Sequence, residues 1–535
     1  MKKIQMALLA IFILGYMITQ GQTAPETFRN PIVSGFSPDP SICRVGDDYY
    51  LATSSFVWFP AMPVYHSKDL VNWELIGHGL ARPGQVRFNG LQDKSGIWAV
   101  TIRYHEGIFY MITNCNGCGD NFYITAKNPA GPWSDPIWIK GASGIDPSLM
   151  WDDDGKCYYV GNRWDFKKEW TGQCAIWLQQ LDLKQHKLIG KKKILTYGYT
   201  RNSPYAEAPH LYKIDGKYLL LTAEGGTDRN HSVVAYHSDR LWGPYVPAKK
   251  NPVLTHRLFA EDYPVQAVGH ADLVQTQNGD WWAVVLGKRV VNGEVPLSRE
   301  TFLCKVQFEN RIPVFNRGAG KVLSEQQRPD LQWTPLKHEP ARDQFDSDTL
   351  ASKWHYVRVP KTRFISLGNG RLKLNLRPDV VDNLVNAGML IQKIEHFKFK
   401  ARTKLTFKTG GDNEQAGLII YRNSDSYFAL MKDKSSIELI RKYDGKKEVI
   451  SKMPYSAAEV YLAALGDSLN VSFRFGTSLG NMSAIGDKLS LKVISESKTN
   501  RFNGPGIGIY ATSNGQMTDN KAEFDWFEYK EDEEE

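Results

Sequence analysis

The stretch PDPSICRVGDDYYLATS, residues 38–54, begins with Asp-Pro-Ser and continues as an apolar strand, a Gly/Asp turn and a Tyr-rich strand. This pattern predicts a β-hairpin. It recurs four more times, as WAVTIRYHEGIFYMITN (98–114), IDPSLMWDDDGKCYYVG (145–161), EAPHLYKIDGKYLLLTA (207–223) and GHADLVQTQNGDWWAVVLG (269–287). Five related hairpins indicate that one structural unit is repeated five times.

A second motif follows three of the hairpins: YHSKDLVNWELI (65–76), ITAKNPAGPWSDPI (124–137) and YHSDRLWGPYVP (236–247). It fits the outer strands of the same unit. A four-stranded unit repeated at roughly fifty to sixty residues is typical of a β-propeller, in which radial closure protects the sheet edges. The sequence therefore predicts a five-bladed β-propeller over residues 28–325.

The repeat ends at SEQQRPDLQWTPLKHEPARD (324–343), which contains the predicted linker, residues 326–340. Alternating apolar and polar segments follow it: GRLKLNL, HFKFKARTKLTF, QAGLIIYRN, SYFALMK, SIELIRK and LNVSFRF. They show no helical periodicity and predict an antiparallel β-sandwich over residues 341–531. The fold class is all-β.

Residues 1–23 have the pattern of a secretory signal. Lys2 and Lys3 precede an apolar run over residues 6–17, and small and polar residues follow. We expect export to the periplasm or the extracellular space. No later segment is apolar for long enough to span a membrane.

The net charge of +8 comes from basic residues that are interspersed with acidic ones, so the sequence gives no indication of nucleic-acid binding. The oligomeric state stays open. Of the six cysteines, Cys115 and Cys118 lie close together in NCNGCGDN, and export permits a local disulfide or another pairing. Zinc is disfavoured because no second CxxC supplies further ligands.

Aligning the five hairpins places one residue of each copy at an equivalent position before the first strand. These residues are Asp39, Ala99, Asp146, Ala208 and His270. In the two copies with Ala, the preceding residues are Trp98 and Glu207. Because the innermost strands of a propeller line its central channel, we expect three carboxylates to converge there. An Asp before Pro-Ser can also simply begin a turn, but turn formation does not explain Glu207.

Several segments together resemble glycoside hydrolase family 43, which includes β-xylosidases and α-L-arabinofuranosidases. They are NPIVSGFSPDPSICRVGDDYYLATSSF, GIWAVTIRYHEGIFYMIT, GIDPSLMWDDDGK, AEAPHLYKIDGKYLL, GHADLVQTQNGDWW and SRETFL, in the family's order. The resemblance covers residues 30 to about 310 and implies a five-bladed propeller. The later part resembles the concanavalin-like domain of the family's β-xylosidase group.

The resemblance implies a role for each carboxylate. Asp39 looks like the general base that activates water, Glu207 like the general acid, and Asp146 like the carboxylate that orients the acid and tunes its pKa. Family members invert the anomeric centre, which requires a water between the sugar and the base. Ala208 departs from the family, which usually has Gly there.

Four further positions follow from the resemblance as substrate-binding residues. Arg299 looks like the arginine that reaches the terminal sugar, although it can also be a surface residue. Phe56 and Trp98 look like walls that stack on the sugar, or else are plain core residues. His270 looks like the channel histidine, near which a structural calcium ion can be held largely through water; a purely structural His is the alternative. The chemistry itself requires no cofactor.

The expected function is therefore an inverting exo-glycosidase that releases terminal β-D-xylose or α-L-arabinofuranose from xylan, arabinoxylan or their oligosaccharides. The sandwich favours the xylosidase, since in that group it places a loop near the pocket that would block long chains. An arabinan-cleaving enzyme and a non-catalytic glycan-binding propeller are the alternatives. The sandwich can also be a sugar-binding module.

Overall fold

A computed structural model describes residues 24–337, 339–496 and 502–532 of the chain. The predicted signal, residues 1–23, lies outside the described residues. The described chain is all-β, and its one helical segment is a 3-10 turn at Leu491–Ile494. No described helix meets the length and hydropathy needed to cross a bilayer.

Five antiparallel sheets follow one another along the first part of the described chain. Sheet 1 contains β2 (Ser41–Val45), β3 (Asp48–Ala52), β5 (Ala61–Ser67) and β6 (Glu74–Leu80). Sheet 2 contains β7 (Gly96–Ile97), β8 (Thr101–His105), β9 (Ile108–Asn116), β10 (Asn121–Ala126) and β11 (Ile137–Trp138). Sheet 3 contains β12 (Ser148–Trp151), β13 (Cys157–Arg163), β14 (Ala175–Asp182) and β15 (Lys187–Thr196).

Sheet 4 contains β16 (Glu207–Ile214), β17 (Lys217–Glu224), β18 (Ser232–Ser238), β19 (Val246–Pro247) and β20 (Leu254–Thr255). Sheet 5 contains β21 (Val265–Gln275), β22 (Trp281–Arg289), β23 (Arg299–Glu309) and β24 (Ile312–Phe315). All five hairpins predicted from the sequence are confirmed, since the two leading strands of each repeat pair antiparallel.

The first strands of the five hairpins, β2, β8, β12, β16 and β21, contact one another in a closed order. Each touches the next, and β21 touches β2. Outside these sheets, β1 (Thr27–Arg29) pairs with β25 (Glu325–Gln327), which joins the N-terminal side of the repeats to their C-terminal side.

Two larger sheets form the C-terminal part, and each of the six segments predicted there contains a strand. The nine-stranded sheet contains β26 (Arg342–Asp343), β28 (Ile365–Leu367), β29 (Leu372–Asn375), β31 (Lys398–Thr406), β36 (Glu459–Asp467), β37 (Asn470–Ser478), β38 (Asn481–Ala484), β39 (Leu489–Ser490) and β41 (Lys521–Glu531). The six-stranded sheet contains β30 (Met389–Lys393), β32 (Gln415–Asn423), β33 (Ser426–Lys432), β34 (Ser436–Tyr443), β35 (Lys446–Pro454) and β40 (Gly506–Thr512).

The two parts of the chain share a hydrophobic core. β4 (Trp58–Phe59) pairs with β27 (Tyr356–Val357), and the buried cluster around them includes side chains from sheets 1 and 2 and from the six-stranded sheet. Asp93 adds a polar connection, because it accepts hydrogen bonds from Arg358, Tyr421 and Ser424. The strands of the C-terminal part are therefore fixed relative to the first two sheets.

Cys115 and Cys118 form a disulfide at the end of β9, with their Cα atoms 5.3 Å apart. This confirms the local pairing that the sequence allowed. The remaining cysteines, Cys43, Cys157, Cys174 and Cys304, are buried and free.

Candidate active site

Four of the five equivalent positions share one backbone conformation. Asp39, Asp146, Ala208 and His270 have φ angles of 55°, 51°, 49° and 48°. Asp and His adopt this left-handed region more often than other non-Gly residues, but Ala rarely does. The conformation therefore belongs to the repeated unit rather than to the residue type, and it explains why Gly is usual where this chain has Ala208. Ala99 does not share the positive φ.

Asp39 is a buried carboxylate with one hydrogen-bond donor on each oxygen, which leaves acceptor capacity for a water molecule. Its Oδ1 accepts a hydrogen bond from Arg299 Nη1 at 2.9 Å, and its Oδ2 accepts one from Ser54 Oγ at 2.6 Å. Burial alone would raise the pKa of Asp39, but the charge of Arg299, with His270 and the Ser54 hydroxyl, outweighs burial and lowers the pKa. Asp39 is therefore ionised in the pH range of most enzymes.

Glu207 has the opposite electrostatic environment at the first position of β16. Burial raises the pKa of its carboxyl group well above the usual value, and the charges of Asp146 and Asp39 raise it further, while Arg299 opposes them. A neighbouring carboxylate was expected from the sequence to raise this pKa, and Asp146 does so, but burial contributes more. Glu207 thus retains a proton where Asp39 has none.

Asp146 lies beside this acid. Its Oδ2 accepts a hydrogen bond from the backbone N–H of Ala208 at 3.1 Å, which fixes Asp146 to the residue after Glu207. Burial and the charge of Asp39 raise the pKa of Asp146 to about 7, against the lowering effects of the Ala208 N–H and Arg299. The three carboxyl groups predicted to converge therefore interact electrostatically in one cluster, in which Asp39 and Asp146 are buried and Glu207 is partly exposed.

Arg299, the first residue of β23, connects Asp39 to the C-terminal part of the chain. Its Nη2 donates to the carbonyl oxygen of Phe502 at 2.6 Å, and its guanidinium lies 5.2 Å from the ring centre of Phe56 and 5.8 Å from that of Phe502. The side chain is buried, and its Nε has no partner among the described residues. The surface-arginine alternative is wrong.

Phe56 and Trp98 form part of the same apolar wall. The two ring centres lie 6.3 Å apart, and Phe36 packs on Phe56 at 5.7 Å. Trp98 is only half-buried, and its indole N–H donates to the carbonyl of Lys94. Phe56 is a core residue as well as a neighbour of Arg299, whereas Trp98 leaves part of its ring free for a ligand.

His270 is buried, with Nδ1 3.8 Å from Asp39 Oδ1 and its ring 6.3 Å from that of His210. Burial lowers its pKa. Asp272, two residues further, is the charged residue that the sequence argument missed. It accepts hydrogen bonds from Arg103, Ser41 and Tyr212, and so joins sheets 5, 2, 1 and 4 at their first strands. The sequence signal for Asp272 was its position in GHADL, two residues after His270.

The described residues contain no group of three or more His, Cys, Asp or Glu side chains that could hold a metal. Calcium takes six to eight oxygen ligands. The carboxylates nearest His270, those of Asp39 and Asp272, already bind Arg299 and Arg103. These residues therefore do not form a direct calcium site.

Phe502 is the second functional residue that the sequence did not indicate individually, because it lies about 200 residues from Arg299 along the chain. Only the expectation of a sandwich loop near the pocket pointed to this region. One carboxyl group that keeps its proton beside another that stays ionised is the arrangement typical of general acid and general base pairs. Fold and site together define an all-β protein with an acid/base cluster of carboxyl groups.

The comparisons with known proteins identify this class. Residues 28–313 match the family model described as glycosyl hydrolases family 43, and residues 342–530 match the one described as beta xylosidase C-terminal concanavalin A-like domain. The chain belongs to glycoside hydrolase family 43 and is a glycoside hydrolase.

Relatives match over nearly the whole chain. A xylosidase/arabinosidase of Butyrivibrio fibrisolvens is 38% identical, covering 94% of this chain and 99% of the relative. The non-reducing end alpha-L-arabinofuranosidase BoGH43B of Bacteroides ovatus is 38% identical, covering 98% of both. Among solved structures, the xylan beta-1,4-xylosidase from Bacillus halodurans has a TM-score of 0.89 at 33% identity, covering 94% of this chain and all of that one.

Proposed function

We propose that this chain is an inverting exo-glycosidase that removes terminal β-D-xylose or α-L-arabinofuranose from xylan, arabinoxylan or their oligosaccharides. The observation that carries the proposal is the opposite direction of two pKa shifts in one cluster of carboxyl groups: the pKa of Glu207 is raised and that of Asp39 is lowered. The directions of the two pKa shifts assign Glu207 as the general acid and Asp39 as the general base.

In the proposed reaction, Glu207 donates its proton to the glycosidic oxygen as the bond to the leaving sugar breaks. Asp39 takes a proton from a water molecule that attacks the anomeric carbon from the opposite face, so one displacement inverts the configuration. Asp146 is a positioning residue: its bond to Ala208 N–H holds it beside Glu207, where its charge favours the protonated acid.

Arg299 has two parts in this proposal. It keeps Asp39 ionised, and its buried Nε–H, which has no partner among the described residues, is the donor left for a sugar hydroxyl. Phe56 and Trp98 supply the apolar wall against which the pyranose or furanose ring packs. His270 keeps Asp39 in place from the channel side. No step uses a metal ion.

We also propose that sheets 1 to 5 are the blades of a five-bladed propeller over residues 28–325, followed by a linker at 326–340 and a β-sandwich at 341–531. The closed order of contacts among the five first strands and the ranges of the two family matches support this division. The pattern of residues 1–23 supports export as part of the proposal.

Exo action is favoured over arabinan cleavage within chains because the sandwich side reaches the pocket. The Phe502 carbonyl and ring cover one side of Arg299, so a long chain could not pass through on that side. The names of the relatives include both xylosidases and arabinofuranosidases, and both sugars stay within the proposal.

The test is hydrolysis of xylobiose and of nitrophenyl β-D-xyloside and α-L-arabinofuranoside by wild type and Glu207→Ala. We expect kcat/KM on xylobiose to fall by about 10²- to 10⁴-fold, as is usual when a general acid is lost. The loss on the nitrophenyl glycosides should be smaller, because nitrophenolate leaves without protonation. Proton NMR of the first product formed should show the inverted anomer.

Glu106→Ala is the matched control, because this exposed glutamate lies in the turn between β8 and β9. If Glu207→Ala retains wild-type activity on xylobiose, the assignment of the acid is wrong. If the wild type binds xylo-oligosaccharides and cleaves no glycoside, the protein is a glycan-binding propeller.

A further inference from the structure

Exposed aromatic side chains are concentrated in two loops of this protein. Among the described residues, five aromatic side chains are exposed: Tyr104, Trp138, Trp164, Tyr197 and Tyr205. The last three, at 41%, 46% and 46% exposure, lie in residues 164–174 and 197–206. These two segments connect β13 to β14 and β15 to β16.

Both loops leave sheet 3 at the edge where the carboxylates lie. β13 ends at Arg163, next to the start of β12 and Asp146, and the second loop runs directly into Glu207. Asn162 links them, since its amide donates to the carbonyl of Ala206 at 2.6 Å. Buried Cys174, at the end of the first loop, is close enough to Glu207 and Asp146 for both charges to act on its pKa, which burial raises.

Hydrogen bonds connect the two loops, residues 164–174 and 197–206, to each other. Trp170 Nε1 donates to the carbonyl of Ser203 at 3.0 Å, and the backbone N–H of Tyr205 donates to the carbonyl of Gly172 at 2.7 Å. Ser203 in turn donates to the buried carboxylate of Glu224. The surface formed by these loops is therefore fixed before any ligand arrives.

Tyr205 has an unusual backbone conformation for an aromatic residue, with φ of 55°. Its ring lies against the backbone of Gly172 and Gly226, where a side chain on either glycine would collide with it or its neighbours. A strained conformation that the surroundings enforce is common at ligand sites. Here it presents half of an aromatic ring to solvent two residues before Glu207.

Between the loops lies a cavity of about 390 Å³, lined by Phe166, Trp170, Tyr197, Tyr199, Thr200 and Arg201, among others. This volume is within the roughly 300–1,000 Å³ range of small-ligand sites. The rings of Phe166 and Tyr197 meet edge to face at 5.7 Å. Aromatic faces with a few polar groups suit sugar rings, whose C–H faces pack on aromatics while their hydroxyls bind polar atoms.

We propose that this aromatic surface, formed by Phe166, Trp170 and Tyr197 at the cavity and by the exposed rings of Trp164 and Tyr205 in the same two loops, binds the leaving chain of the substrate, a β-linked pentopyranose main chain. The inference rests on the proposed function, because it uses the role of Glu207. A general acid must face the glycosidic oxygen, so the leaving sugars extend from the pocket on the side of Glu207. The loops that carry the aromatic surface flank Glu207 on that side.

The test combines binding and turnover. In the Glu207→Ala background, calorimetry should give a Kd for xylohexaose about tenfold weaker when Trp164 and Tyr197 are also replaced by Ala, since buried aromatic contacts dominate such interfaces. In the otherwise wild-type enzyme, the same pair of substitutions should lower the ratio of kcat/KM on xylohexaose to kcat/KM on xylobiose. Tyr104→Ala, an exposed tyrosine at the far end of β8, is the control that should change neither quantity.

The two proposals can fail separately. If the enzyme is active and the substitutions at Trp164 and Tyr197 change neither the Kd nor the chain-length ratio, the aromatic surface does not bind the main chain. If the wild type cleaves nothing but the same substitutions weaken xylohexaose binding, the surface is confirmed and the catalytic proposal is wrong. A Tyr205→Phe variant, which keeps the ring, should bind like its parent; weaker binding would contradict stacking as the mode of contact.

Discussion

Two acidic residues on neighbouring strands, Asp272 on β21 and Glu207 on β16, differ in their partners. Asp272 accepts hydrogen bonds from Arg103, Ser41, Tyr212 and the backbone of Ile42, and these, with Arg103 foremost, lower its pKa despite complete burial. Glu207 is only partly exposed to solvent, its carboxyl group receives no hydrogen bond from the described residues, and its pKa is raised, chiefly by burial. Burial alone does not decide the state of a carboxyl group; its donors do.

This difference in donors distinguishes a structural residue, Asp272, from a residue that can transfer a proton, Glu207. A carboxylate whose donors are all in place holds sheets together, and it has no acceptor capacity left for a substrate. A carboxyl group that retains its proton because donors are missing lowers the stability of the folded state at neutral pH, and it has a proton to give. Three predictions test this comparison, the first having the largest expected effect.

Asp272→Ala should lower the free energy of unfolding by about 3–5 kcal/mol, because it leaves the Arg103 guanidinium buried without its partner. Urea denaturation followed by tryptophan fluorescence measures this. Replacing the pair together, as Asp272→Leu with Arg103→Met, should recover most of the loss, since removing both charges leaves neither unpaired. If Asp272→Ala alone is as stable as the wild type, Asp272 does not hold the sheets together.

Asp146→Asn should lower kcat/KM at neutral pH by about ten- to a hundredfold, because the substitution removes the carboxylate that lies beside the general acid Glu207. Its charge raises the pKa of Glu207, so without it that pKa falls. The basic limb of the pH profile of kcat/KM should therefore move to lower pH. The acidic limb reports the pKa of Asp39, which is lowered, and it should not move. If the basic limb does not move, the charge of Asp146 does not set the pKa of Glu207, and its proposed positioning role is wrong.

Glu207→Gln should have the smallest effect, a rise in Tm of about 1–3 °C at pH 8. The folded-state pKa of Glu207 lies above its unfolded value, so stability falls as the pH rises from the unfolded value towards the folded one. Gln does not titrate, and the gain should disappear near pH 4, where Glu is protonated in both states. Calorimetric scans at the two pH values measure the difference. Equal Tm values at pH 8 would mean that this buried acid does not lower stability.

The hairpins were predictable from the sequence because their signals are local. A Gly/Asp turn between two strands rich in aromatic and β-branched residues specifies its own pairing, as in Val45 and Asp48 of the first repeat. The three carboxylates were found through the repeat, since equivalent residues of a repeated unit occupy equivalent places. The partners of Asp272 could not be found in this way, because they come from three other sheets.

The sequence by itself determined the all-β class, the five hairpins, the alternating strands of the C-terminal part and the candidate acids Asp39, Asp146 and Glu207. These depend on turn chemistry and on side-chain alternation over a few residues. Only the tertiary structure decided which carboxyl group keeps its proton, how Phe502 reaches Arg299, and that exposed aromatic rings gather beside Glu207. Those properties depend on burial and on donors from distant segments, and a pKa is set by everything that surrounds a group in space rather than by its neighbours along the chain.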